Sequence, residues 1–229
     1  MRRERGSWQQ LWWDARMAPP VLYLLGSAAP PVLQAGTVVE EARRRGWDVC
    51  LGLTPTAADW LEDQLPQLEQ TSGHPVRSRY KRPGRPDVWP PASVALVAPA
   101  TFNTLNQWAL GLTDKFVVGF AAEAIGKGIP LVTMPCVNAA YARHPQFPRS
   151  LATLRDAGVR VLYGEGGFVP NPPGRGRPDS YPWPLALEAA SAALDTADGD
   201  GAAPHTAAAD PAGARHARCV PGRTEHGRP

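Results

Sequence analysis

Short unbroken apolar runs along this chain alternate with stretches in which apolar residues recur every three or four positions. Residues 21–25 (Val-Leu-Tyr-Leu-Leu) form the first run and stop at Gly26-Ser27, as a buried strand does on entering a turn. Over 32–45, Val32, Ala35, Val38, Val39 and Ala42 share one helical face, and Arg43-Arg44-Arg45 precede Gly46. Cations at the negative end of the helix dipole, followed by a glycine suited to left-handed backbone, close a helix. Similar runs predict strands at 47–53, 94–98, 130–134 and 159–162, and helices at 56–65, 104–112, 116–125, 148–157 and 184–194. Strands apolar throughout and separated by helices imply a parallel sheet covered on both faces. The expected architecture is a doubly wound, mostly parallel α/β fold, a Rossmann- or flavodoxin-like three-layer sandwich in a single domain. Ligands of such sheets sit beyond the carboxyl ends of the strands, so four segments should form the site: 26–30, 54–57, 99–104 and 135–141.

Composition limits how much of the chain this covers. Of 229 residues, 26 are Pro and 22 Gly, a share that predicts unstructured stretches. Residues 195–229 contain no Leu, Ile, Phe, Trp, Tyr or Met, too little apolar surface to offset chain entropy. The expected organisation is an arm over 1–20, one domain over 21–194 and a disordered tail over 195–229, the tail holding His205, His216 and His226 as solvated side chains. The basic N-terminus and the run at 21–25 have the outline of a signal peptide, but the run is short and follows a Trp-rich polar stretch. A first buried strand explains it better, and the protein is expected in the cytoplasm. Met17 is an alternative start, and Trp8, Trp12 and Trp13 would dock the arm on the domain or on a neighbour. A net charge of +3 is too balanced to suggest nucleic acid as the main partner, and no apolar run is long enough to span a membrane. Cys50, Cys136 and Cys219 lie far apart without a CxxC pair, so neither a disulfide framework nor a metal site is expected.

The four loops carry the candidate chemistry. Gly26-Ser27-Ala28-Ala29 joins a strand to a helix; small residues there either let backbone N–H groups approach a phosphate or serve the turn sterically. The second and third glycines of a dinucleotide fingerprint are missing, which disfavours NAD. Thr54 and Thr56 bring two hydroxyls to the next turn, one for capping the helix and one free for the same phosphate. After the third predicted strand, Asn103 or Thr104 either caps a helix or joins Thr101 in bonding to a polar ring edge or a phosphate. Asn138, after the fourth, offers a donor and an acceptor at the rim and equally suits a helix cap.

Taken in order, these segments resemble the flavin-dependent cysteine decarboxylase superfamily, which includes phosphopantothenoylcysteine decarboxylase, lantibiotic peptide decarboxylases and, more distantly, flavin prenyltransferases. Pro99-Ala100-Thr101-Phe102-Asn103-Thr104 resembles the PASANT motif, and Gly111-Leu112-Thr113-Asp114 its following segment. Pro135-Cys136-Val137-Asn138-Ala139-Ala140-Tyr141 is similar to PxMNxxMW, and residues 53–60 to the turn after strand two. The resemblance implies FMN as cofactor, bound between subunits of a homotrimer or higher oligomer, and a small-molecule or peptide substrate with a carboxylate. By position Gly26, Ser27, Ala28, Thr54 and Thr56 would hold the phosphate end. Thr101, Asn103 and Thr104 would lie along the flavin, with Asn138 on the substrate carboxylate and Tyr141 and Arg85 near the substrate. The chemistry implied is oxidation of a cysteine thiol to a thioaldehyde, an electron sink that releases carbon dioxide, with the cofactor carrying the hard step.

Two positions depart from the family. An ungapped count back from Pro99 to the catalytic His lands on Arg85, within the basic stretch 77–85, and a guanidinium with a pKa above ~12 is no base near neutrality. His74 would replace it only if its loop folded inward. The proton-donating Cys of the substrate flap has no counterpart in 164–178, GEGGFVPNPPGRGRP. The alternative function is therefore a flavin-binding regulatory or partner subunit without catalysis. The stretch 77–85 itself reads either as a solvated loop or as a reader of an anionic substrate. Cys136 reads as a small buried filler of the motif or as a reactive thiol.

Overall fold

The computed structural model describes residues 18–199. The N-terminal methionines, the three tryptophans of the arm, Cys219 and the three tail histidines lie outside the described residues. Five strands form one parallel sheet: β1 (Val21–Gly26), β2 (Asp48–Leu53), β3 (Val94–Ala100), β4 (Leu131–Pro135) and β5 (Arg160–Val161). Their spatial order is β2-β1-β3-β4-β5, so the chain reverses direction across the sheet between β1 and β3, the switch point at which such folds bind ligands.

Alternation along each strand divides the core. Leu22 and Leu24 of β1 join Leu51, Leu53, Leu96 and Met134 on one face, against α1 (Ala35–Arg44) and α8 (Trp183–Gly199). Tyr23 and Leu25 join Val97, Leu105, Trp108, Val117 and Phe147 on the other, beneath α4 (Phe102–Ala109), α5 (Phe116–Gly126) and α7 (Gln146–Asp156). The doubly wound, flavodoxin-like sandwich expected from the sequence is the fold observed.

Several boundaries differ from expectation, among them the first helix, expected over 32–45, which is a 3₁₀ turn (Pro30–Gln34) followed by α1. The helix expected at 56–65 is split into α2 (Pro55–Trp60), a 3₁₀ turn (Glu62–Gln64) and α3 (Leu65–Ser72). Pro66 has no N–H to continue a helix but suits the first turn of a new one. The next helix, α4, begins two residues before the expected 104, because Thr101 rather than Asn103 or Thr104 is the cap: its Oγ1 accepts from the Thr104 N–H. It ends where Gly111 turns left-handed at φ +69°. A short helix, α6 (Ala139–Ala142), was not foreseen; it owes its existence to Asn138, whose Oδ1 accepts from the N–H groups of Ala140 and Tyr141 at 3.0 Å each. Finally, α8 runs to Gly199, five residues past the predicted end at 194.

Candidate functional site

The carboxyl ends of the strands open into a cleft of about 750 Å³, within the usual ~300–1,000 Å³ of small-molecule sites. All four predicted loops reach it. Ala28 follows β1, Thr54 and Thr56 follow β2, Thr101, Asn103 and Thr104 follow β3, and Cys136, Asn138 and Tyr141 follow β4. The segment after β5 closes the remaining side with Phe168, Asn171, Gly174, Arg177 and Tyr181.

Local hydrogen bonding decides what each side chain offers. Ser27, 1% exposed, donates from Oγ to Thr104 Oγ1 at 2.9 Å, and Thr104 Oγ1 lies 3.1 Å from Thr101 Oγ1. This chain of hydroxyls stiffens the junction of the first and third loops below the cleft. Gly26 and Ser27 are not among the cleft-lining residues, which corrects their expected place at a phosphate. The Ser27 N–H already donates to the Pro99 carbonyl, and a Cβ on Gly26 would meet Val32 Cγ2 at 3.0 Å and Leu53 Cδ2 at 3.2 Å. Their smallness serves packing under the loop, while Ala28 faces the cleft. Thr54 precedes α2 without a side-chain capping bond, so neither threonine hydroxyl of this turn is spent on a cap. Asn138 is both cap and cleft residue. With Oδ1 committed to two N–H groups, its Nδ2 remains as a fixed donor, the group a carboxylate requires.

Aromatic rings frame the mouth. Phe102 stacks on Tyr141 with centroids 4.9 Å apart, and Trp60 and Tyr141 are about half exposed. Tyr181 donates from its hydroxyl to the Met134 carbonyl at 2.6 Å, and burial pushes its pKa well above the ordinary phenol value. Burial likewise pushes the Cys136 thiol up to about 11, so it is neutral near pH 7. This favours the filler reading of Cys136 over that of a reactive thiolate.

Two expected participants lie elsewhere. Arg85 lines a separate hollow of about 350 Å³ with Arg77, Lys81, Arg82, Pro86, Asp87 and Val88, so its expected contact with a ligand in this chain's cleft is not formed. Ion pairs hold that loop together: Arg77 and Lys81 both pair with Asp87, at 2.9 and 3.3 Å. His74 pairs at 2.7 Å with Asp48, the first residue of β2, at the end of the sheet opposite the cleft. Its loop does not fold inward.

Sequence reasoning missed Lys115, Arg177, Trp60 and Asn171 as cleft residues. Lys115 directly follows the recognised Gly111-Leu112-Thr113-Asp114 segment, and Arg177 sits in the stretch that was read only for its missing Cys. Among the described residues lining the cleft there is no Asp, Glu or His, and no group of three or more potential metal ligands occurs among the described residues.

Residues 17–182 match the family model described as Flavoprotein. The chain belongs to the Flavoprotein family. Solved structures share the fold. The FMN-dependent cysteine decarboxylase SpaF superposes with a TM-score of 0.60 at 23% identity, covering 79% of this chain and 98% of that one. TvaF, the FMN-dependent cysteine decarboxylase from thioviridamide biosynthesis, gives 0.59 at 20%, covering 77% and 98%. HAL3 from Cryptococcus neoformans gives 0.56 at 18%, covering 78% and 98%. No curated protein matches in sequence. The family membership agrees with the resemblance read from the loop motifs. Among the described residues no helix of this flavoprotein is long and apolar enough to cross a membrane.

Proposed function

We propose that this flavoprotein binds FMN in the cleft at the β1/β3 switch point and acts on a cysteine-containing small molecule or peptide that carries a carboxylate. The observation that carries this reading is the donor set. Thr54, Thr56, Thr101, Asn103 and Asn138 converge on one cleft lined by no carboxylate among the described residues, which suits a flavin with an anionic phosphate and an anionic substrate. Ala28, Thr54 and Thr56 would hold the phosphate end, and Thr101, Asn103 and Thr104 the ring. SpaF and TvaF are described as FMN-dependent cysteine decarboxylases, which supports the same cofactor and a carboxy-lyase activity here. FMN when bound supplies the two-electron oxidation of the thiol that makes loss of carbon dioxide feasible.

The chain's own residues bind and orient. Asn138 Nδ2 donates to the substrate carboxylate, aligned by the cap that fixes its Oδ1. Phe102 and Tyr141 form an apolar wall beside it, and the buried Tyr181 hydroxyl and the neutral Cys136 thiol add no charge that would repel the carboxylate. Trp60 and Tyr141, each about half exposed on the cleft lining, support assembly into a homotrimer or higher oligomer that covers the mouth. The working unit is the domain over 21–194, in the cytoplasm.

A second reading, a flavin-binding partner subunit without catalysis, is favoured by one observation: no imidazole or carboxylate lines the cleft among the described residues. FMN titration of the purified protein, followed by incubation of the holoprotein with an N-acylcysteine, separates the two. Saturable FMN binding with loss of carbon dioxide by mass spectrometry supports the decarboxylase, and binding without mass loss supports the partner subunit. A protein that takes up no FMN contradicts both.

A further inference from the structure

Charge on the described residues is divided between the two edges of the sheet, β2 and β5. Over 35–72, where α1 to α3 flank β2, seven acids stand against Arg43, Arg44 and Arg45. Those arginines are engaged locally: Arg44 and Arg45 pair with Glu41, and Arg43 donates to the Thr71 carbonyl. Beside β5, over 139–163, the balance is reversed. Arg143, Arg149, Arg155 and Arg160 share that stretch with a single acid, Asp156. All four arginines are exposed, and among the described residues none has an ion-pair partner. Helix α7 buries Phe147, Ser150, Leu151 and Leu154, which leaves Arg149 and Arg155 on its outward side. This positive edge begins at the cleft. His144, next to Arg143, packs edge-on against the cleft residue Phe102 with centroids 5.3 Å apart. The strap after β5 (residues 164–178) adds exposed Arg175 and Arg177. It is tied to α6 where the Asn171 carbonyl accepts from the Ala139 N–H at 2.8 Å.

We propose that this edge receives an acidic stretch of a peptide substrate, upstream of the cysteine that enters the cleft. Unpaired cations spread along one edge attract a flexible polyanion through their summed field, and they need not meet at a single anion. The opposite edge, rich in acids, repels the same peptide and so selects the side on which it leaves the mouth. Helix α7 is about 16 Å long at 1.5 Å per residue, a span that about five residues of extended chain cover. Acids within about ten residues of the cysteine therefore lie over α7 while the cysteine is in the cleft. The inference rests on the flavin reading for the place of the cysteine, and it adds the kind of peptide and its direction of approach.

The test uses the full-length protein with FMN added and follows the anisotropy of peptides labelled at the N-terminus. The first peptide ends in Cys and carries Glu residues in the span that α7 covers. The second has Gln in their place, and the third keeps the Glu residues but ends in an amidated Ala. At low ionic strength the first peptide binds about tenfold more tightly than the second, the sum of several exposed charge pairs. The difference collapses in 1 M salt, where the screening length falls to about 3 Å. The variant Arg143→Gln/Arg149→Gln/Arg155→Gln/Arg160→Gln loses most of the preference. The variant Arg143→Lys/Arg149→Lys/Arg155→Lys/Arg160→Lys keeps it, because a field needs charge rather than a guanidinium fork. Equal binding of the Glu and Gln peptides by the wild type, a preference that survives in the Gln variant, or one that is lost in the Lys variant overturns the proposal. So does a Gln variant whose native mass differs from that of the wild type, because the edge then joins copies of this chain. An oligonucleotide of equal charge that binds more tightly than the Glu peptide overturns it as well. The Ala-ended peptide keeps the two readings apart. If it binds through its acids while the chain takes up no FMN, or while the Cys-ended peptide loses no carbon dioxide, the decarboxylase reading fails and the edge reading stands.

Discussion

The cleft and the basic loop over 77–85 use similar residues for opposite purposes. By sequence the loop is the obvious anion site, with five basic residues in nine positions and no acid. In the fold, Asp87 arrives from just beyond it to take Arg77 and Lys81, and the Arg77 guanidinium lies 4.0 Å over the Phe116 ring and 5.0 Å over that of Trp89. Much of the loop's charge is thereby spent on holding it against α5. Among the described residues the cleft has only two cations, dispersed in sequence, and neither has an ion-pair partner. Local charge density is thus a poor guide to a binding site, and pairing is a better one.

If the loop is structural and the cleft functional, substitutions should separate stability from flavin binding. The largest loss of stability is expected for Arg77→Ala. It removes a cation stacked on two rings and one of the two partners of half-exposed Asp87, at a cost of about 2.5 kcal/mol, read as a lowered denaturation midpoint with FMN affinity unchanged. Thr104→Val comes next. It leaves the buried Ser27 hydroxyl without its acceptor, which costs about 2 kcal/mol. Because the hydroxyl chain underlies two cleft loops, this variant should also weaken FMN binding in a fluorescence titration, as Arg77→Ala does not. Gly119→Ala tests the loop's tether. A Cβ there would fall 1.6 Å from Tyr80 Oη, so the ring must swing out and give up its 2.7 Å bond to the Thr113 carbonyl, a loss of about 1 kcal/mol seen as faster proteolysis within the loop. Arg85→Ala should change stability by less than about 0.5 kcal/mol and leave FMN affinity alone. A large loss of flavin with Arg85→Ala would mean that the loop serves a cleft after all, that of a neighbouring copy.

The strands and the site loops were legible because they depend on local chemistry. Continuous apolar runs identify parallel strands whatever the tertiary context, and the order of strands and helices fixes which ends carry the loops. Thr54, Thr56, Thr101, Asn103, Thr104 and Asn138 all reach the cleft for that reason. The features that escaped depend on contacts distant in sequence. Ser27 is spent on Thr104, 77 residues away, and Lys115 and Arg177 meet the cleft only through the folding of α5 and of the strap. The α2/α3 break was foreshadowed by Pro66, whose missing N–H a reading by apolar spacing passes over. Asn138 was open between cap and ligand contact; the structure shows the cap through Oδ1 and sets the residue on the cleft lining.

The central claim, a flavin held where the first and third loops meet, is tested most directly by a crystal structure of the protein grown with FMN. The account predicts FMN in the cleft, in contact with Ala28, Thr54, Thr56 and Asn103, with Asn138 Nδ2 left free for a carboxylate. FMN seated instead among Arg82, Arg85 and Val88, or a cleft that stays empty at saturating FMN, would contradict it.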